Sequence, residues 1–269
     1  MTPLWLVIIA ECRRLSARPI ARLSLVVSLL VMAGIVGLGI TLDNTVQTGD
    51  GASVLEASTG ASITGWVAVF RSLPIGLMLV ALLGVGQSAG DLETSVLRDD
   101  LCRPVRRHDL VLGRWVALSL SSLFIHLIGF VLVAGASAAA FGTGGDWGTA
   151  TLVWLGCWAS DMAVGALALA AGFVGGGTLV AIAALFALAT ADTVAWIGTQ
   201  ALNLGIQLTV QVGGTPMDPR IPGWIASVLP HAAITAWSGE PFGATLAWLL
   251  WTGLGLTVAT VRLGRRDVA

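Results

Sequence analysis

The chain has 269 residues, 56% of them hydrophobic and 11% charged, with a net charge of −1 and a mean hydropathy of +0.88. Soluble domains are about one quarter charged, so this composition excludes a water-soluble globular protein, and the near-neutral charge gives nucleic acid nothing to hold. Lysine is absent, which excludes a Walker A phosphate loop and a lysine Schiff base.

From the N-terminus, residues 2–18 read as an amphipathic interfacial helix. Trp5, Ile8, Ile9 and Cys12 share one face, and Glu11, Arg14 and Arg18 share the opposite one, with Arg13 departing from the pattern. The apolar run 4–10 precedes the arginines, the reverse of a secretory signal. Pro19 permits a bend into a first membrane span. A span needs about 20 mostly apolar residues, and six stretches qualify: 23–42, 66–89, 111–140, 148–173, 178–197 and 241–261. The fourth and fifth are separated only by Gly175, Gly176 and Gly177, which reads as a tight turn. Residues 43–65 form a polar loop without arginine. Residues 198–240 hold two apolar pieces too short to cross, broken by Pro222 and Pro230, and read as short helices entering the outer leaflet.

Arginine sets the orientation. Arg13, Arg14, Arg18 and Arg22 precede the first span, Arg98, Arg103, Arg106, Arg107 and Arg114 lie between the second and third, and Arg262, Arg265 and Arg266 follow the sixth. Twelve of the fourteen arginines therefore fall on one side of a six-span bundle, which the positive-inside rule makes cytoplasmic, with both termini inside. The fold class expected is an all-α integral membrane protein forming a single domain over 1–269.

Ten of the 29 charged side chains lie in residues 90–114, GDLETSVLRDDLCRPVRRHDLVLGR. Five arginines would suffice as a topology signal. The acids Asp91, Glu93, Asp99, Asp100 and Asp109 add nothing to that, and a mixed-charge surface suits recognition by another protein. A solvated loop is the simpler alternative. Pro104 stops any helix running through, and a new one starts near Asp109.

These residues carry a resemblance. Asp91 at the end of the second span, Pro104 with Arg107 three positions on, and Gly113-Arg114 after an apolar Leu110-Val111-Leu112 resemble the cytoplasmic coupling loop of the ABC-2 type transporter permeases. Ser95-Val96 and Leu101-Cys102 depart from the family's pattern. Glu11, Arg13, Arg14 and Arg18 resemble the family's elbow helix (1–22 here), and Arg265-Arg266-Asp267 its basic tail. The size and the opening Met1-Thr2-Pro3-Leu4-Trp5 are similar to the small six-span permeases of the group, including that of the nitrous oxide reductase maturation system. The resemblance implies a permease subunit of the inner membrane that is not itself an enzyme. It would pair with a second copy or a sister permease in the bilayer and be driven by two cytoplasmic ATPase subunits that hold the ATP and Mg. Residues 90–110 would be the coupling loop and 198–240 the outer re-entrant region. Asp91, Glu93, Arg98, Pro104, Arg107, Gly113 and Arg114 would be the ATPase-coupling residues. The work done would be export of a substrate (efflux) or force transmitted across the membrane, and substituting Arg107, or reversing the charge of Asp91 and Glu93, would then uncouple ATPase from it without unfolding the bundle.

Among the ionisable side chains within spans, Asp161, Asp192 and His126 are the candidates, the last with Ser121 and Ser122 a turn away, while Arg71 can snorkel outward as an interfacial anchor. Charge at depth is costly and marks a candidate site. The simpler reading is an interhelical hydrogen bond for the acids and packing for His126. The alternative function is a proton-coupled carrier using Asp161 and Asp192. An intramembrane protease would need Ser137 and His126 or His231 in reach of each other. Leu83-Gly84-Val85-Gly86-Gln87 mimics an ATPase signature loop but ends an apolar span. Cys12, Cys102 and Cys157 have neither disulfide nor zinc spacing. The eleven tryptophans lie mostly near span ends, as interfacial belts do.

Overall fold

In lipid only a helix or a closed barrel satisfies its own backbone, and the apolar runs here fold as helices. The computed structural model describes residues 4–47, 59–71, 76–94, 96, 105–175, 177–191, 194 and 241–265. In chain order the helices are α1 (Leu4–Ala17), α2 (Pro19–Gln47), α3 (Gly60–Arg71), α4 (Leu77–Val85), α5 (Arg107–Phe141), α6 (Trp147–Gly175), α7 (Thr178–Ala191) and α8 (Pro241–Gly264). A π-helical turn, Gly86–Gly90, and a last turn, Asp91–Glu93, continue α4. Among the described residues there is no strand.

Four helices, α2, α5, α6 and α8, are long and apolar enough to cross a membrane. They fall on the expected spans 23–42, 111–140, 148–173 and 241–261. The expected span 66–89 falls across α3 and α4, and 178–197 begins as α7. The pieces expected within 198–240 lie outside the described residues. Outward-facing side chains are apolar: Leu30, Phe124, Val131 and Leu179 are all more than half exposed. Such a surface suits lipid and would aggregate in water.

The helix boundaries follow local chemistry. Pro19 occupies the first position of α2, where its missing N–H leaves no bond unmade. Asp146 precedes α6 and caps it: its carboxylate accepts from the Thr149 N–H at 3.1 Å and the Thr149 hydroxyl at 2.6 Å. The sequence signal for this cap is an acid three residues before a threonine at the head of an apolar run. Those two bonds hold the Asp146 carboxyl below its ordinary range.

Helix α6 is the centre of the bundle. Its small residues, among them Gly156, Ala159, Ala163, Ala166, Ala168 and Gly172, are buried, and α3, α4, α5 and α8 all pack on it. With no water to expel between helices in lipid, close backbone approach is what holds them. Gly255 of α8 shows how close: a Cβ there would lie 2.6 Å from the backbone carbon of Ala166. Tryptophans tie α5 and α3 to α6. Trp115 Nε1 donates to Met162 O at 3.0 Å, Trp158 Nε1 to Ser119 O at 3.1 Å and Trp154 Nε1 to Thr64 O at 2.9 Å. Trp154, 3% exposed, thus departs from the belt expectation: a buried indole is stable where its N–H finds a carbonyl.

At one end, Val7 and Leu15 of α1, Leu83, Leu110, Leu169 and Leu263 form a shared core. At another, Met32, Val67, Val133 and Trp154 form a second. The first core underlies the charged residues.

Candidate functional site

The charges of α1, the end of α4 and the start of α5 converge. Arg114 is completely buried, and Glu11 and Asp91 are each 3% exposed. Arg114 Nη2 lies 3.0 Å from Asp91 Oδ2, and its Nε lies 3.6 Å from Glu11 Oε1. Arg14 pairs with Glu11 at 3.1 Å and reaches to 3.9 Å of Asp91. Arg18 Nη2 donates to Asp91 Oδ1 at 2.5 Å. Two carboxylates and three guanidinium groups thus interlock three segments far apart in sequence.

The π-helical turn belongs to this site. Turns of this kind interrupt the regular hydrogen-bond ladder and concentrate at functional positions. The arginines supply donors to its carbonyls: Arg18 Nη1 donates to Gly86 O at 2.7 Å, and Arg114 Nη1 donates to Gln87 O. Gly113 lets α1 come near enough, because a Cβ there would meet Val7 Cγ1 at 2.8 Å. The pair Gly113-Arg114 therefore has two separable roles, one steric and one ionic.

The face of α1 that the sequence separates as polar is the one turned into the bundle. Glu11 is buried there beside Val7 and Leu15, while Trp5 and Ile9 are exposed. Cys12 borders that face. Burial, and then the neighbouring Glu11 charge, push its thiol above the ordinary range, so it is a poor nucleophile at neutral pH.

The other predicted residues sit at the rim of this end. Arg107 Nη1 donates to Leu263 O at 3.1 Å and Gly264 O at 2.5 Å, so the first residue of α5 caps the last turn of α8. Glu93 accepts from the Thr178 N–H at 2.7 Å and the Thr178 hydroxyl at 2.8 Å, and so caps the start of α7. Those bonds hold the exposed Glu93 carboxyl below its ordinary value of 4.5. A depressed carboxyl pKa stabilises the fold fully above the ordinary value, and the contribution is lost as pH falls through the depressed one. Protection of the first α7 amides against hydrogen exchange should therefore hold from neutral pH down to about 4.5, fall below it, and become pH-independent in Glu93→Gln. Arg13 lies on the exposed side of α1. Arg98, Pro104 and Asp192 lie outside the described residues.

The burial of Asp91 and Arg114 corrects one expectation. Reversing the Asp91 charge is expected to disrupt the bundle, because it would place a fourth cation against Arg14, Arg18 and Arg114.

A second polar group lies at the centre of α6. Asp161 is 1% exposed and equidistant from the ends of Trp147–Gly175. Ser122 Oγ donates to Asp161 Oδ2 at 2.6 Å, and His126 Nδ1 lies 3.7 Å from the same oxygen and 2.9 Å from Ser122 O. The His126 ring meets Trp154 edge to face at 5.9 Å. Ser122 Oγ also lies 3.4 Å from His126 Nδ1, so its shorter bond is to the carboxylate and its longer one to the ring. Ser137 is buried three turns along α5 from His126, beyond hydrogen-bond reach. His231 lies outside the described residues. Among the described residues no three His, Cys, Asp or Glu side chains are grouped to hold a metal ion.

No family model matches the chain, and no curated protein matches it.

Proposed function

We propose that the chain is the transmembrane permease subunit of an ABC transporter of the ABC-2 type. In this reading six spans place both termini in the cytoplasm, the chain works with a second copy or a sister permease, and two separate ATPase subunits supply the energy. The observation that carries it is the buried interlock of Glu11, Asp91 and Arg114 with Arg14 and Arg18. A motor pressing on the segment after Asp91 would move the elbow helix and α5 together, because a core of paired charges transmits displacement as a unit. Asp91 and Arg114 are too buried to touch a partner, so they act inside the chain. Glu93 and Arg107, at the rim, join the same segment to α7 and α8. The convergence of Arg18 with Asp91, and of Arg107 with Leu263, supports an even number of crossings between these points. The absence of lysine agrees with nucleotide being bound on another chain.

Affinity purification of the chain from its native membrane, followed by mass spectrometry, should recover an ATPase with Walker and signature motifs in stoichiometric amount. Arg107→Ala should lower transport per ATP hydrolysed several-fold while that ATPase still co-purifies. Unchanged coupling in Arg107→Ala, or transport by the isolated chain without ATP, refutes the reading.

Asp161, bonded to Ser122 and beside His126 at the centre of a spanning helix, favours a second reading, a carrier driven by a proton gradient. It requires uptake in vesicles under an imposed pH gradient without ATP, abolished in Asp161→Asn. Asp192, its expected companion, lies outside the described residues.

A further inference from the structure

We propose that the groove bounded by α1, α2 and α5 binds one anionic phospholipid. Of the four arginines at residues 13–22, Arg14 and Arg18 are drawn inward by Glu11 and Asp91. Arg13 and Arg22 are exposed, and their guanidinium groups make no hydrogen bond or ion pair among the described residues. Both line a cavity of 460 Å³ whose other walls include Ser16, Leu25, Leu120 and Phe124. Two unpaired cations at the mouth of an apolar cleft select a ligand with a negative head and a hydrocarbon body.

Further along, the walls change from Leu25 to the adjacent Val26 on α2 and from Ile125 to Leu132 on α5. A second cavity, of 590 Å³, follows the same two helices and is lined by Leu29, Leu30, Val36, Ile40 and Leu132 with almost no polar surface. From Leu25 to Ile40 along α2 is about 22 Å, more than one leaflet's share, roughly half, of a ~30 Å hydrocarbon core. An acyl chain has room to lie in it while its phosphate accepts from Arg13 and Arg22. Free phosphate would leave the apolar walls unused. A second copy of this chain docked about a two-fold axis here would bring its own Arg13 and Arg22 against the first pair, a repulsive arrangement. The site does not depend on the identity of any motor, so it stands or falls apart from the permease reading.

The test is native mass spectrometry of the full chain released from mixed micelles of phosphatidylglycerol and excess phosphatidylcholine. One phosphatidylglycerol per chain should be retained in preference to phosphatidylcholine. In Arg13→Gln/Arg22→Gln its retention should fall by about tenfold or more, each basic residue at a membrane surface being worth roughly a fivefold factor. Because those arginines also help to orient the chain, Ser121→Phe provides a second probe: it fills the groove, keeps both cations, and should also lose the bound phosphatidylglycerol. Equal retention of the two lipids, or full retention in both variants, overturns the proposal. Displacement of the lipid by millimolar inorganic phosphate overturns it in favour of a headgroup site alone. A doubled mass that carries no lipid and disappears in Ser121→Phe overturns it in favour of a second copy.

Discussion

Asp91→Ala should destabilise the bundle by about 3–5 kcal/mol, the range for removing one partner of a buried ion pair. Asp91 faces Arg18 at 2.5 Å, Arg114 at 3.0 Å and Arg14 at 3.9 Å. Without it, Arg14, Arg18 and Arg114 all lose a shared carboxylate, and Arg114 is fully buried. The check is reversible unfolding in mixed detergent micelles, compared with wild type. Arg14→Ala should cost far less, about 1 kcal/mol or under, because its side chain is 27% exposed and can be hydrated. Replacing Glu11, Asp91 and Arg114 together by apolar residues of similar volume should cost less than Asp91→Ala alone, since the fully buried cation is then gone and the two that lose their carboxylates, Arg14 and Arg18, are 27% and 22% exposed and can be hydrated. A triple variant less stable than the single one would mean that the cluster itself is a net source of stability. The same argument decides where coupling can be tested cleanly. Variants of Asp91 confound folding with function more than variants of Arg107 and Glu93, whose bonds at the rim cap the last turn of α8 and the first turn of α7.

Gly255→Leu should be the most damaging substitution in the bundle outside the ion cluster. Overpacking a dense interior typically costs about 1–3 kcal/mol, and more where a backbone must move. Here the new Cβ would sit 2.6 Å from the Ala166 carbon and 2.8 Å from the Leu167 nitrogen, and neither is the end of a flexible side chain. Helices α8 and α6 would have to separate, opening the contact that also buries Ala159 and Ala163 against Trp248 and Trp251. The readout is the yield of monodisperse protein in detergent and the midpoint of its unfolding. Gly113→Ala offers a contrast: the clash is with the Val7 side chain at 2.8 Å, which can rotate or shift with α1. It should lower stability by less, and Val7→Ala should restore part of the loss. If Gly255→Leu is as mild as Gly113→Ala, the two helices are not in backbone contact.

Much of the architecture could be read from residue order. The helical class, the positions of the four long helices and the bend before Pro19 follow from apolar run length and proline chemistry, which act locally. The members of the ion cluster were also readable as candidates, because charge is conspicuous in so apolar a chain. The role each plays was not. Glu11, Asp91 and Arg114 looked like parts of surfaces, and Arg107 like a contact for a partner. Helical periodicity shows that Glu11, Arg14 and Arg18 share a face of α1 but not which way that face turns.

Composition and arginine placement by themselves determined that this is a helical membrane protein with its basic segments grouped together, because hydration and lipid act on each stretch of chain independently of its neighbours. Only the tertiary structure decided that Arg18 meets Asp91 73 positions away and that Arg107 meets Leu263 156 positions away. A buried charge is stable only when an opposite charge or a carbonyl is brought to it, and the helix packing that does so is set by close contacts at Gly113, Gly172 and Gly255 that no local pattern announces.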